Sequence, residues 1–345
     1  MVTTWLLFVA CACVIGAAGI RLSILGDRIA QQTGLSAHWV SMILIATVTS
    51  LPELTTGISS VTVAHAPDLA AGDVLGSCLF NLFLLGLVDL WLPRQSVFAH
   101  AVGGAQQTTD LAVRMLTWVL FSLICAHFQV LPAIGHVSLG SLGIAVLYLH
   151  GMRQLHHAER QPSHKEANTT TASLDLPPSV RSAPLTLVFD YLLTSVAIVA
   201  AGIWLPVLGV DIAHQMGWTD SMVGTLLVAL ATSTPEMATC IGAIRIGRID
   251  MILGNLVGSN LFDALILTVD DTVYQAAPLF EQLSGAHIIS ASMALAMTSI
   301  TWLAARDNPE TRTKWGRWSR PGTALCAGYL IHVGTQLILM QRPPS

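Results

Sequence analysis

Long apolar runs separated by short polar ones dominate this chain. Runs long enough to cross a hydrocarbon core of ~30 Å, which takes about 20 helical residues, fall at roughly 4–20, 38–63, 70–92, 112–131, 134–150, 185–209, 221–244, 250–269, 284–305 and 322–340. They predict ten membrane-spanning helices, five on each side of the one sizeable polar stretch, 151–184. The expected fold is an all-α polytopic membrane protein. Residues 1–150 and 185–345 form two five-helix repeats, joined by 151–184 as a flexible cytoplasmic linker rich in His, Thr and Pro.

Composition supports this pattern. Hydrophobic residues make up 53% of the 345 and charged residues only 10%, with a mean hydropathy of +0.65, outside the range of a soluble domain. The net charge of −4, without a basic stripe, gives no footprint for nucleic acid. The start, Met1-Val-Thr-Thr-Trp5, has no basic region, so the first run reads as a span and not as a cleaved signal. With the N-terminus outside, every Lys and Arg except Arg342 falls on the cytoplasmic side, as the positive-inside rule requires. Both termini are then external in a multi-pass protein of the cell membrane. An odd number of spans per repeat also places the second repeat upside down relative to the first.

Charged residues within the apolar runs change the picture from architecture to chemistry. Ala46-Thr-Val-Thr-Ser-Leu-Pro-Glu53 is matched by Ala229-Leu-Ala-Thr-Ser-Thr-Pro-Glu236, and Gly76-Ser-Cys-Leu-Phe-Asn81 by Gly258-Ser-Asn-Leu-Phe-Asp263. A carboxylate near the bilayer centre costs at least about 2.5–3.5 kcal/mol, and such residues mark ion pathways. Pro52 and Pro235 each lack an N–H, so the helix opens and releases backbone carbonyls near Ala46 and Ala229. Thr49 and Ser50 precede Glu53 by four and three residues, which predicts two hydroxyls on the carboxylate's own face; Thr232 and Ser233 repeat this before Glu236. Ser77 with Asn81, and Ser259 with Asp263, are likewise one turn apart. Carbonyl, hydroxyl and carboxylate oxygens suit hard cations such as Na⁺ and Ca²⁺. Three carboxylates, Glu53, Glu236 and Asp263, hold together only with cations or protons between them. Gly72-x-x-x-Gly76 and Gly254-x-x-x-Gly258 provide small faces for close helix packing.

These paired motifs resemble the two alpha repeats of the sodium/calcium exchanger family, over nearly the whole chain. The resemblance implies an antiporter with alternating access, in which Na⁺ and Ca²⁺ compete for overlapping sites. It places acidic ligands at Glu53, Glu236 and Asp263, the partner amide at Asn81, hydroxyl ligands at Thr49, Ser50, Ser77, Thr232, Ser233 and Ser259, and carbonyl ligands at Ala46 and Ala229. The chain departs from the family pattern at Val48 and Ala231, where Gly is usual, at Cys78 in place of Asn, and at Thr234 in place of an apolar residue. No cofactor beyond the transported ions is implied, and a monomer is expected to suffice.

The remaining polar residues read more plainly. Asp89, Asp270 and Asp271 stand near span ends and are expected at the headgroups, with an entry vestibule that concentrates cations as the alternative. Asp190 is expected at the interface, and His38 and His287 read as anchors at span ends in preference to proton relays. The six cysteines lie in apolar runs and read as reduced packing residues. Exchange of Ca²⁺ against Na⁺ is the leading reading. H⁺/Ca²⁺ exchange, monovalent cation/H⁺ exchange and a non-transporting protein of the same fold stay open, since carboxylates bind protons as well as metals. An intramembrane enzyme lacks any hydrolase motif within the spans.

Overall fold

In the computed structural model the described residues are 1–33, 46–92, 96–100, 104–159, 185–245, 247, 249–306 and 319–340. The helical segments are α1 (Val2–Thr33), α2 (Ala46–Thr49, then Leu51–Thr62), α3 (Pro67–Trp91), α4 (Gly104–His127), α5 (Leu139–Glu159) and α6 (Leu185–Met216). They continue with α7 (Asp220–Met222, Val223–Val228, Ala229–Thr232 and Thr234–Arg245), α8 (Asp250–Val273), α9 (Ala286–Arg306) and α10 (Arg320–Met340). Among the described residues 7 helices are long and apolar enough to cross a membrane, and the pair within α7, bent by 42°, makes up to 8. The other two expected spans correspond to α2, whose expected beginning lies outside the described residues, and to α5.

Several boundaries differ from the apolar pattern for identifiable reasons. A hairpin of β1 (Ala133–Ile134) and β2 (Val137–Ser138) turns at Gly135, whose φ of +65° suits glycine. It displaces α5 from 134–150 to Leu139–Glu159, so His156 and His157 are helical, while 160–184 lies outside the described residues. Helix α4 begins at Gly104, before the expected 112, because its polar first turns are satisfied. Gln106 donates to the Ala305 carbonyl at 3.1 Å, and Asp110 pairs with Arg306 at 3.1 Å and accepts the Trp302 indole N–H.

Helices α3 and α8 form the centre: 78% of the apolar window of each is buried, against 33% for α1 and 22% for α10 at the periphery. A helix apolar on all sides belongs in such a core. The two cross where Asn260 Nδ2 donates to the Cys78 carbonyl at 3.1 Å and Cys78 Sγ lies 3.9 Å from the Asn260 carbonyl. The small face of α3 lies on α7. A Cβ on Gly72 would stand 2.8 Å from the Ser221 carbonyl oxygen, and one on Gly76 2.7 Å from Ala229 Cβ. The facing part of α7 is a π-turn over Val223–Val228, in which the Ala229 N–H reaches back to the Gly224 carbonyl.

The expected headgroup positions of Asp89, Asp270 and Asp271 are corrected, since all three are buried. Two of them cap the chain after a central helix in matching fashion. Asp89 Oδ1 accepts Val97 N at 2.9 Å and Ser96 Oγ at 2.6 Å. Asp271 Oδ1 accepts Leu279 N at 2.6 Å, while its Oδ2 takes Ser138 N at 2.8 Å and Ser141 Oγ at 2.5 Å. Such bonds replace water around a buried carboxylate. Asp270 faces Gly57 of α2, where a Cβ would lie 2.6 Å from its Oδ2. His287 is also buried, with Nε2 2.9 Å from Asp68 Oδ1, whereas Asp190 is half-buried and lies 3.5 Å from Arg21. His38 lies outside the described residues. The six cysteines are free thiols.

Candidate cation-binding site

Both proline-glutamate motifs break their helices at the serine. Ser50 has φ −86° and ψ 11°, and Ser233 φ −82° and ψ 12°, far in ψ from the helical value of about −42°. Each serine separates a short piece, Ala46–Thr49 or Ala229–Thr232, from the piece that carries the glutamate in its first turn. Ala46 and Ala229 thus open the two matching short pieces. Ala229 O keeps its helical bond from Ser233 N at 3.0 Å. The carbonyl opposite Pro235 is that of Ala231, and it accepts Thr234 Oγ1 at 2.9 Å.

The break changes which carboxylate each hydroxyl serves. Thr49 and Ser50 lie on the side of Glu236 of the other repeat and make no hydrogen bond to Glu53; Thr49 reaches Ser259, and Ser50 Oγ has no hydrogen-bond partner among the described residues. Conversely, Ser233 donates to Glu53 Oε1 at 3.2 Å. The central helices complete the arrangement: Ser77 donates to Glu53 Oε1 at 3.4 Å and Ser259 to Glu236 Oε1 at 3.3 Å. Thr49 Oγ1 lies 3.3 Å from Ser259 Oγ, and Thr232 Oγ1 3.5 Å from Ser77 Oγ. Each half of the cluster therefore draws on both repeats.

Asp263 and Asn81 take different roles from the same matched position. Asn81 Nδ2 donates to Asn260 Oδ1 at 3.0 Å, while Asp263 stands beside Ser50. All these side chains are buried. Glu53 Oε2, Glu236 Oε2, Asn81 Oδ1 and both Asp263 oxygens have no hydrogen-bond partner among the described residues. The ion pairs found among the described residues, Arg21–Asp190, His287–Asp68 and Arg306–Asp110, lie elsewhere. Buried carboxylate oxygens without donors or counter-charges call for protons or cations. An all-oxygen lining of this kind suits hard cations.

The motif reading missed Asp73. It is wholly buried in α3, and its Oδ1 accepts Thr232 Oγ1 at 2.9 Å. A charged residue inside an apolar run, one helical turn before Ser77, is the signal that would have found it. The matching position in the second repeat is Asn255, which donates to Thr239 Oγ1 at 2.7 Å.

The family model described as sodium/calcium exchanger protein matches residues 3–150 and 187–338, covering both repeats. The chain belongs to the sodium/calcium exchanger family. That is a family of membrane transporters and not of enzymes, in keeping with the multi-pass fold. Among relatives, the chain is 26% identical over 279 residues to the putative antiporter CaxA of Alkalimonas amylolytica, covering 79% of this chain and 82% of that one. It is 27% identical over 270 residues to the inner membrane protein YrbG of Escherichia coli (strain K12), covering 77% and 78%. In fold it is similar to the sodium-calcium exchanger NCX_Mj solved in the presence of Na⁺ and Sr²⁺, with a TM-score of 0.60, 20% identity, and coverage of 97% of this chain and 99% of that one.

Proposed function

We propose that this exchanger-family member is a secondary active antiporter that exchanges Ca²⁺ against Na⁺ by alternating access. The observation that carries the reading is that Glu53, Glu236 and Asp263, from two broken helices and a central one, are buried within electrostatic reach of one another and each carry carboxylate oxygens with no hydrogen-bond partner among the described residues. In this conformation no three acidic side chains among the described residues stand close enough to hold a metal ion by themselves, so the neutral oxygens complete the shell. One Ca²⁺ neutralises two of these charges; Na⁺ ions spread over the same oxygens do so in its place. Because both ions draw on one set of ligands, occupancy by one excludes the other, which is the basis of exchange. Thr49, Ser50, Ser77, Thr232, Ser233 and Ser259 supply neutral oxygens around the ion, and Asn81 an amide oxygen.

The protein is taken to work as a monomer in the cell membrane with both termini outside. Ca²⁺ and Na⁺ are its cargo, and H⁺ is the alternative coupling ion. Uptake of ⁴⁵Ca²⁺ into proteoliposomes tests the reading. Uptake driven by an outward Na⁺ gradient supports it. Uptake driven only by a pH gradient replaces Na⁺ by H⁺, and no uptake under either gradient refutes antiport of Ca²⁺.

A further inference from the structure

We infer that Asp73 is a fourth carboxylate of the cation site and sets its preference for divalent over monovalent ions. The inference rests on the antiport reading above. Asp73 lies on α3 one turn before Ser77, fully buried. Three acceptors surround the Thr232 hydroxyl: Asp73 Oδ1 at 2.9 Å, the Val228 carbonyl at 3.1 Å and the Ala229 carbonyl at 3.2 Å. The carboxylate is both the nearest and the charged one, so it takes the single proton. The Thr232 lone pairs are then left for the site, on the side where Ser77 stands 3.5 Å away.

Asp73 contributes more than orientation. Its Oδ2 is buried and has no hydrogen-bond partner among the described residues. Glu53, Glu236 and Asp263 all lie within electrostatic reach of it. The second repeat offers no equivalent, because Asn255 is neutral and turns to Thr239. The fourth carboxylate is therefore an addition to the symmetric frame, placed on one side of it.

The energy of an ion in the field of a fixed charge scales with the ion's own charge. Loss of one carboxylate then weakens Ca²⁺ by the square of the factor by which it weakens each Na⁺, so about tenfold for Ca²⁺ accompanies about threefold for Na⁺. A residue that merely holds the fold would move both by one factor.

The test uses the purified full chain in proteoliposomes, reading the half-saturating Ca²⁺ concentration of ⁴⁵Ca²⁺ uptake and, at Ca²⁺ far below that value for every variant, the half-inhibiting Na⁺ concentration. Asp73→Asn and Asp73→Ser should raise the Ca²⁺ value about tenfold and the Na⁺ value about threefold. Asp73→Glu, which keeps the charge, should keep their ratio. Equal factors for the two ions, or no change, overturn the inference and leave antiport standing. If neither neutral variant is recovered folded, Asp73 is a structural residue and the inference is equally overturned. Absence of uptake by the parent chain under both gradients overturns the antiport reading and the inference with it.

Discussion

The contact of Gly76 with α7 makes the proposed cation site sensitive to a single methyl group outside it. In Gly76→Ala the new Cβ would lie 2.7 Å from Ala229 Cβ and 2.8 Å from Thr225 Cα, and would also meet the Thr225 carbonyl. Carbon atoms pack at about 3.5–4.0 Å, and most of what surrounds this methyl is backbone that no rotamer change moves aside. Helices α3 and α7 must part by roughly the shortfall, close to 1 Å. The 2.9 Å bond between Thr232 and Asp73 and the 3.5 Å approach of Thr232 to Ser77 cross that same interface. The first then leaves hydrogen-bond range. Overpacking of this kind costs about 1–3 kcal/mol, while Ala improves on Gly in a helix by about 1 kcal/mol, so the net loss is up to about 2 kcal/mol, and the three sub-van-der-Waals contacts place it towards that upper end. Gly242, also helical, has nothing within 4 Å of an added Cβ, so Gly242→Ala isolates the propensity gain. Thermal unfolding in detergent and ⁴⁵Ca²⁺ uptake should show Gly76→Ala less stable and much slower than the parent, and Gly242→Ala at least as stable and equally active. Parent-like melting and uptake in Gly76→Ala would refute the close packing of α3 on α7.

Glu53→Gln and Glu236→Gln should each abolish Ca²⁺ uptake while still inserting, because loss of a charge lowers the insertion cost; parent-level uptake by either sinks the shared site. Asp263→Asn reproduces in the second repeat the amide that Asn81 carries in the first and should keep substantial exchange, so inactivity equal to that of Glu236→Gln would make Asp263 an indispensable charged ligand. Val63→Cys and Arg245→Cys, exposed at the ends of the two glutamate-bearing helices, should react with a membrane-impermeant maleimide from outside and from the cytoplasm respectively. Reaction of both from one side rules out the inverted arrangement.

The proline-glutamate motifs were legible in the sequence because a helix breaker and a carboxylate in an apolar run each have few explanations. What the motifs do not encode is direction across the break. Spacing put Thr49 and Ser50 with Glu53, but a ψ of 11° at Ser50 ends the helical register on which that inference depended. Asp89 and Asp271 were misplaced for a related reason: position along a helix says nothing about the segments, such as Val97 and Leu279, that fold back eight residues later to cap them. Asp73 escaped because a search for repeats finds what the halves share, and it occurs in only one. The π-turn over Val223–Val228 has no proline to announce it, and only its packing against Gly72 and Gly76 explains its place.

The cross-repeat contacts, Ser233 to Glu53, Thr49 to Ser259 and Thr232 to Ser77, mean that in the proposed site neither half of the chain would own a complete coordination shell. Any tilt of one repeat against the other must lengthen ligand bonds on both sides of the ion together. An ion held by this frame would thus resist relative motion of the halves until its shell could be rebuilt whole, and a frame without ions would need protons on its carboxylates to keep the halves together. On the proposed reading, the interleaving itself would tie cargo to conformation.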